Sequence, residues 1–141
     1  AVPVLFACVG CDEKLADLTG PTPNLTPTLS SIQRDIFSAS DSSGRSACVS
    51  CHTPGGFADV TGLFLTDPAT SFAALVGRGS RLRPGETLVI PGDPDNSYLV
   101  RKLEGGPAIN GLRMPRNNGP FLTDGQMLVI RRWIAAGAAN D

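Results

Sequence analysis

Four stretches of this chain carry helical periodicity, and each is short. Thr26-Pro27 reads as an N-cap with proline at the first helical position. Leu25, Leu29, Ile32 and Ile36 then recur at helical spacing, with Phe37 alongside, and the helix is expected to stop near Ala39. Asp67-Pro68 repeats the start signal; Phe72, Leu75 and Val76 follow as a stripe, and Gly77 is placed to end it. Pro94 or Asn96 is expected to open a third helix, with Tyr98, Leu99 and Leu103 inward and Gly105 after it. The last start is the clearest: Thr123-Asp124-Gly125-Gln126 is a capping box ahead of Met127, Ile130, Trp133 and Ile134, with Gly137 beyond. Leu88-Val89-Ile90 is bounded by prolines and is read as loop. The expected fold class is all-α.

Such helices leave little apolar surface to pack on one another. The connections, residues 40–67 above all, are long, and 16 Gly and 12 Pro among 141 residues suit loop building. Long connections without structure of their own are uncommon in a compact domain. Loops that wrap a large bound group, which then completes the core, resolve the conflict. With 41% hydrophobic and 18% charged residues, a folded chain rather than a disordered one is expected.

Cys48-Val49-Ser50-Cys51-His52 identifies the group. The pattern C-x-x-C-H is the attachment signature for a c-type haem, and it contains the chain's single His. Two thiols at this spacing reach the two vinyl-bearing edges of one porphyrin. The His directly after them is held against one face, where an imidazole nitrogen binds iron. A second axial ligand must be one of two methionines. Met127 shares the stripe of Ile130 and Ile134, which suits core packing. Met114 lies in the loop Gly111-Leu112-Arg113-Met114-Pro115-Arg116, from which a flexible thioether can be aimed at iron; a loop Met can also simply fill a gap. Met/His ligation raises the reduction potential of haem iron. A carbonyl acceptor for the other His52 nitrogen is expected in the loop after it.

The order of these parts resembles a class I monohaem c-type cytochrome with His/Met ligation: first helix, C-x-x-C-H, long loop with helices, Met-Pro, last helix. A bacterial cytochrome c-like subgroup is resembled by Ile90-Pro91-Gly92-Asp93-Pro94, Asn96-Ser97-Tyr98-Leu99, Arg113-Met114-Pro115 and Trp133-Ile134-Ala135-Ala136-Gly137-Ala138. The resemblance implies a cytochrome c fold: about four short helices wrapped with long loops around one covalent haem, its first and last helices crossing near Phe37, Trp133 and Ile134. It divides the chain into residues 1–27, an apolar arm and Pro/Thr-rich tether, and residues 28–141, the cytochrome c domain. It implies attachment at Cys48 and Cys51, with His52 and Met114 as iron ligands. Leu63, Leu82, Tyr98, Leu99 and Phe121 are implied to pack on the ring. Arg81, Arg83 and Arg113 are candidates to pair with its propionates, Arg113 being next to the ligand. The implied function is one-electron carriage between redox protein partners, without enzyme activity, in the bacterial periplasm or at the extracytoplasmic face of the membrane.

The first ten residues are nearly all apolar but too few to span a bilayer as a helix, which needs ~20. Leu5-Phe6-Ala7-Cys8 and Cys8-Val9-Gly10-Cys11 resemble a bacterial lipobox, so a lipid anchor at Cys11 or Cys8 is one expectation. A Cys8–Cys11 disulfide and a plain buried arm are the others. Three prolines, Pro21, Pro23 and Pro27, make the stretch from Thr19 to Thr28 an extended tether. A tethered form would fit a subunit of a respiratory or photosynthetic membrane complex. Net charge is −1, which excludes a global basic field for nucleic acid. Arg78, Arg81 and Arg83 are the one local basic cluster, suited to solvent or to a bound anion. Three rival functions remain: a four-cysteine metal site joining both Cys-x-x-Cys pairs, a redox dithiol, and a haem-based gas sensor or peroxidase-like enzyme with an open sixth position.

Overall fold

The computed structural model describes residues 26–116 and 118–141. Cys8, Cys11 and the tether expected over residues 1–27 lie outside the described residues, apart from Thr26 and Pro27. The described chain is mainly helical and contains no strand. Its helices are Leu29–Ile32, which runs on as a π-helical turn over Gln33–Phe37, then Ala58–Thr61, Pro68–Leu75, Tyr98–Glu104 and Asp124–Ala135, with a 3-10 turn at Cys48–Ser50. The all-α expectation therefore stands at the level of class.

Three of the helix starts are set by side chains that reach the free amides. The first helix starts two residues later than Thr26-Pro27 suggests, because the Thr28 hydroxyl accepts from Ser31 N at 3.2 Å and makes Thr28 the cap. Asp67 caps the third helix as expected, accepting from Thr70 N at 2.9 Å with Pro68 in the first turn. The fourth opens at Tyr98, beyond the expected Pro94 or Asn96 start; Ser97 stands at the cap position, its Oγ turned back to accept from Ile90 N and donate to Asp93 O in the preceding turn. The last has the full capping box, Thr123 Oγ1 accepting from Gln126 N and Gln126 Oε1 from Thr123 N. The short helix at Ala58–Thr61 and the turn at Cys48–Ser50 carry no periodicity long enough to read from sequence. Leu88–Ile90 forms only isolated bridges, Val89 to Val76 and Ile90 to Asp93.

The first and last helices pack together. Leu29, Ile32, Ile36 and Phe37 share one buried core with Met127, Ile130, Trp133 and Ile134, so Met127 is a core residue. The Trp133 indole donates to Ala139 O at 2.9 Å, satisfying its one polar atom. Asp141, in the same tail, ties it to the start of the first helix, accepting from Leu29 N at 2.7 Å through Oδ1. With the two helices locked, the segment from Ser38 to Ser97 and the loop after Glu104 are left to form the opposite wall.

Candidate functional site

The motif turn is built by its own backbone. Cys51 N and His52 N both donate to Cys48 O, at 3.2 and 2.9 Å, and Leu65 N returns to His52 O at 2.9 Å. His52 Nδ1 lies 2.9 Å from Leu63 O. A carbonyl only accepts, so Nδ1 carries the proton, and the unprotonated Nε2 lone pair is left for a ligand. Burial lowers the His52 pKa, against the opposing effect of the Leu63 carbonyl, and so favours the neutral imidazole that a metal requires. Leu63 O is thus the acceptor that the sequence calls for without identifying.

The Met114 loop is stitched to the helix Tyr98–Glu104. Met114 N donates to Lys102 O at 3.0 Å, Arg113 Nε to Leu103 O at 2.7 Å, and Asn110 N to the Tyr98 hydroxyl at 2.9 Å. Tyr98 is itself flanked by Arg101 and Arg83, whose guanidinium carbons lie 5.5 and 5.9 Å from the ring centre.

These two assemblies face each other across an open cleft with a cavity volume of about 110 Å³. Cys48, His52 and Met114 all line it, together with Phe37, Leu63, Leu65, Leu82, Leu88, Leu99 and Leu103. Residues far apart in sequence converge there: a thiol, an imidazole and a thioether in a largely apolar wall. Of the expected packing residues, Leu63, Leu82, Tyr98 and Leu99 line the cleft and Phe121 does not.

Two of the expected propionate partners stand elsewhere. Arg113 is outside the cleft lining: its side chain runs over Gly105, bonds Leu103 O and lays its guanidinium 3.9 Å from the centre of the Phe121 ring. It fastens the loop that carries Met114. Arg83 is also absent from the lining and pairs with Glu86 at 3.5 Å. The cations at the cleft are Arg81 and Lys102. Arg81 lies over Gly62, where φ is +67° and favours glycine; a Cβ there would push the guanidinium, whose Cζ would lie 2.6 Å away, aside. Cys51 is exposed and does not line the cleft, whereas Cys48 is half-buried in its wall.

Sequence reading missed Arg45. It is fully buried, and an arginine two residues after an Asx-type turn gives no periodic signal of burial. Its Nε donates to Asp41 Oδ2 at 3.0 Å; its terminal nitrogens donate to Ile36 O, Ser46 O and Ala39 O at 3.2, 3.1 and 3.0 Å. Asp41 is partly desolvated, which raises its pKa, but hydrogen bonds from Ser43 and Arg45 outweigh this and lower it to about 2.

Among the described residues no three His, Cys, Asp or Glu side chains gather into a metal-binding group, and no helix is long and apolar enough to cross a membrane. No protein-family model, curated protein or solved structure matches this chain.

Proposed function

We propose that the chain is a class I c-type cytochrome that carries one electron between redox protein partners, with a single haem c in the cleft. The observation that carries this reading is the convergence of Cys48, His52 and Met114 on one apolar cleft. The wall suits such a group in chemistry: it is lined mainly by leucines and supplied with two cations for carboxylates. When bound, haem c supplies an iron that alternates between Fe(II) and Fe(III). Cys48 and Cys51 would hold the group through thioethers. Cys51 stands outside the cleft lining and would have to turn inward to do so. His52 would ligate through Nε2, its ring held by the Leu63 carbonyl. Met114 would supply the sixth ligand, from a loop held to the helix behind it at Lys102 O and Leu103 O. Arg81 and Lys102 would meet the propionates. The leucine wall would shield a bound ring from water, and ligands fixed on hydrogen-bonded supports would keep their positions in both oxidation states. Partner contacts would be small and transient, or permanent if the protein is a membrane-complex subunit. Attachment of this kind places the protein in the bacterial periplasm or on the extracytoplasmic face of the membrane.

The test is spectroscopic. Full-length protein, expressed with haem-attachment machinery, should show a Soret band that survives acid–acetone extraction and a mass increment of one haem. The oxidised protein should show a far-red thioether–iron band that Met114→Ala abolishes. Absence of covalent chromophore would refute the reading. Rapid CO binding by untreated ferrous protein would replace the carrier with an open-site sensor or peroxidase-like enzyme.

A further inference from the structure

Gln33 is a polar residue on the apolar face of the first helix. It stands four residues after Leu29, beside Ile32 and Ile36, and is 4% exposed. A buried amide is costly unless its donors and acceptor find partners. Here all of them do. Gln33 Nε2 donates to Leu65 O at 2.8 Å and to Ser38 Oγ at 2.9 Å, and Gln33 Oε1 accepts from Ser71 Oγ at 2.6 Å. Leu65 O only accepts, which fixes the orientation of the amide. The fully buried Ser71 hydroxyl is then the donor on its other side. One side chain therefore ties the first helix to the helix Pro68–Leu75 and to the backbone at Leu65.

The network reaches the site through residues 63–65. This segment joins the helices Ala58–Thr61 and Pro68–Leu75 and belongs to neither. Leu65 N donates to His52 O at 2.9 Å, and Leu63 O accepts from His52 Nδ1 at 2.9 Å. Backbone and ring of His52 are thus both held by one short segment, whose Leu63 and Leu65 side chains line the cleft. The segment is anchored at two points. Leu63 N donates to Thr61 Oγ1 at 3.2 Å, within the adjoining short helix. Leu65 O is held by Gln33, which connects it to the core of the first and last helices.

We propose that Gln33, braced by Ser71, is a positioning residue for His52: it holds residues 63–65 so that Leu63 O keeps its grip on the Nδ1 proton. This role rests on the haem c reading and belongs to the folded, loaded protein. A firm hydrogen bond at Nδ1 raises the basicity of the imidazole as a ligand. A more basic ligand favours Fe(III) over Fe(II), so the network holds the reduction potential down. Loosening the segment should raise it.

The experiment compares wild type, Gln33→Met, Ser71→Ala and Ile130→Val, each as the full chain expressed with attachment machinery. Met keeps the length of Gln and removes its hydrogen bonds. Ile130 is a core residue outside the cleft lining, so its variant shows what loss of packing alone does. The potential is read by redox titration of the haem absorbance, and exchange of the His52 Nδ1 proton by NMR of the ferrous protein. Gln33→Met should shift the reduction equilibrium about fivefold toward Fe(II), the scale of one neutral hydrogen bond. Easier local opening should speed Nδ1 proton exchange by about the same factor. Ser71→Ala should move both readouts in the same direction by less, and it decides the matter if Gln33→Met is not recovered. Ile130→Val should move neither. The role requires both readouts to move as stated. An unchanged or lowered potential, an unchanged exchange rate, or an equal response from Ile130→Val overturns it. Wild type with no attached haem refutes the functional reading itself, and the positioning role with it.

Discussion

Asp41→Asn is expected to destabilise the protein by about 2 kcal/mol at neutral pH and by almost nothing at pH 2. Asp41 accepts from Ser43, Arg45 N and Arg45 Nε. Its side chain is 23% exposed, so solvent screens the pair only in part. The carboxyl is held at about 2 against an ordinary 3.8. By linkage that gap corresponds to about 2 kcal/mol of folding free energy. The direction of the shift sets the sign. A depressed carboxyl stabilises the fold above its unfolded pKa, so the contribution is complete above pH ~4 and is lost as pH falls from 3.8 toward about 2. The variant lacks the charge at every pH. The two stability curves should therefore lie about 2 kcal/mol apart near pH 7, or ~6 °C in Tm, and converge in acid. Guanidinium chloride unfolding at a series of pH values measures the gap. A difference that persists undiminished at pH 2, or one below about 0.5 kcal/mol at pH 7, would refute the reasoning.

Three further outcomes are expected. Trp133→Ala removes the largest fully buried side chain from the contact of the first and last helices and should cost about 3–5 kcal/mol in denaturant unfolding. Gly62→Ala should cost about 1 kcal/mol for the left-handed backbone alone; in an Arg81→Ala background the further loss from displacing the guanidinium should vanish, as a double-mutant cycle would show. On the haem c reading, haem-free protein should give a poorly dispersed amide spectrum, since a group that completes the core stabilises only the folded state; a sharp, well-dispersed spectrum would contradict the role assigned to the cleft.

Local chemistry was legible in the sequence wherever the deciding partners are neighbours along the chain. Thr123 and Gln126, and Asp67 with Thr70, make cap bonds within one turn, and residue order alone is enough to find them. The Cys48–His52 motif is legible for the same reason: its backbone bonds close on Cys48 O. The helix start at Leu29 lies two residues from where residue order alone puts it, because the Thr28 hydroxyl takes the cap by reach and orientation.

Only the tertiary structure decided which residues share the cleft. His52 finds its carbonyl at Leu63, and Met114 hangs from Lys102, through contacts with no periodic signature. Arg113, next to Met114 in sequence, turns away onto Phe121, while Arg81 crosses Gly62 to reach the wall. Arg45 is buried because three carbonyls and Asp41 enclose it, a condition no single position reveals. The sequence by itself determined the helical class and the reactive side chains, which depend on propensity and short-range spacing. Which charges face the cleft, and which only brace it, depended on long-range packing.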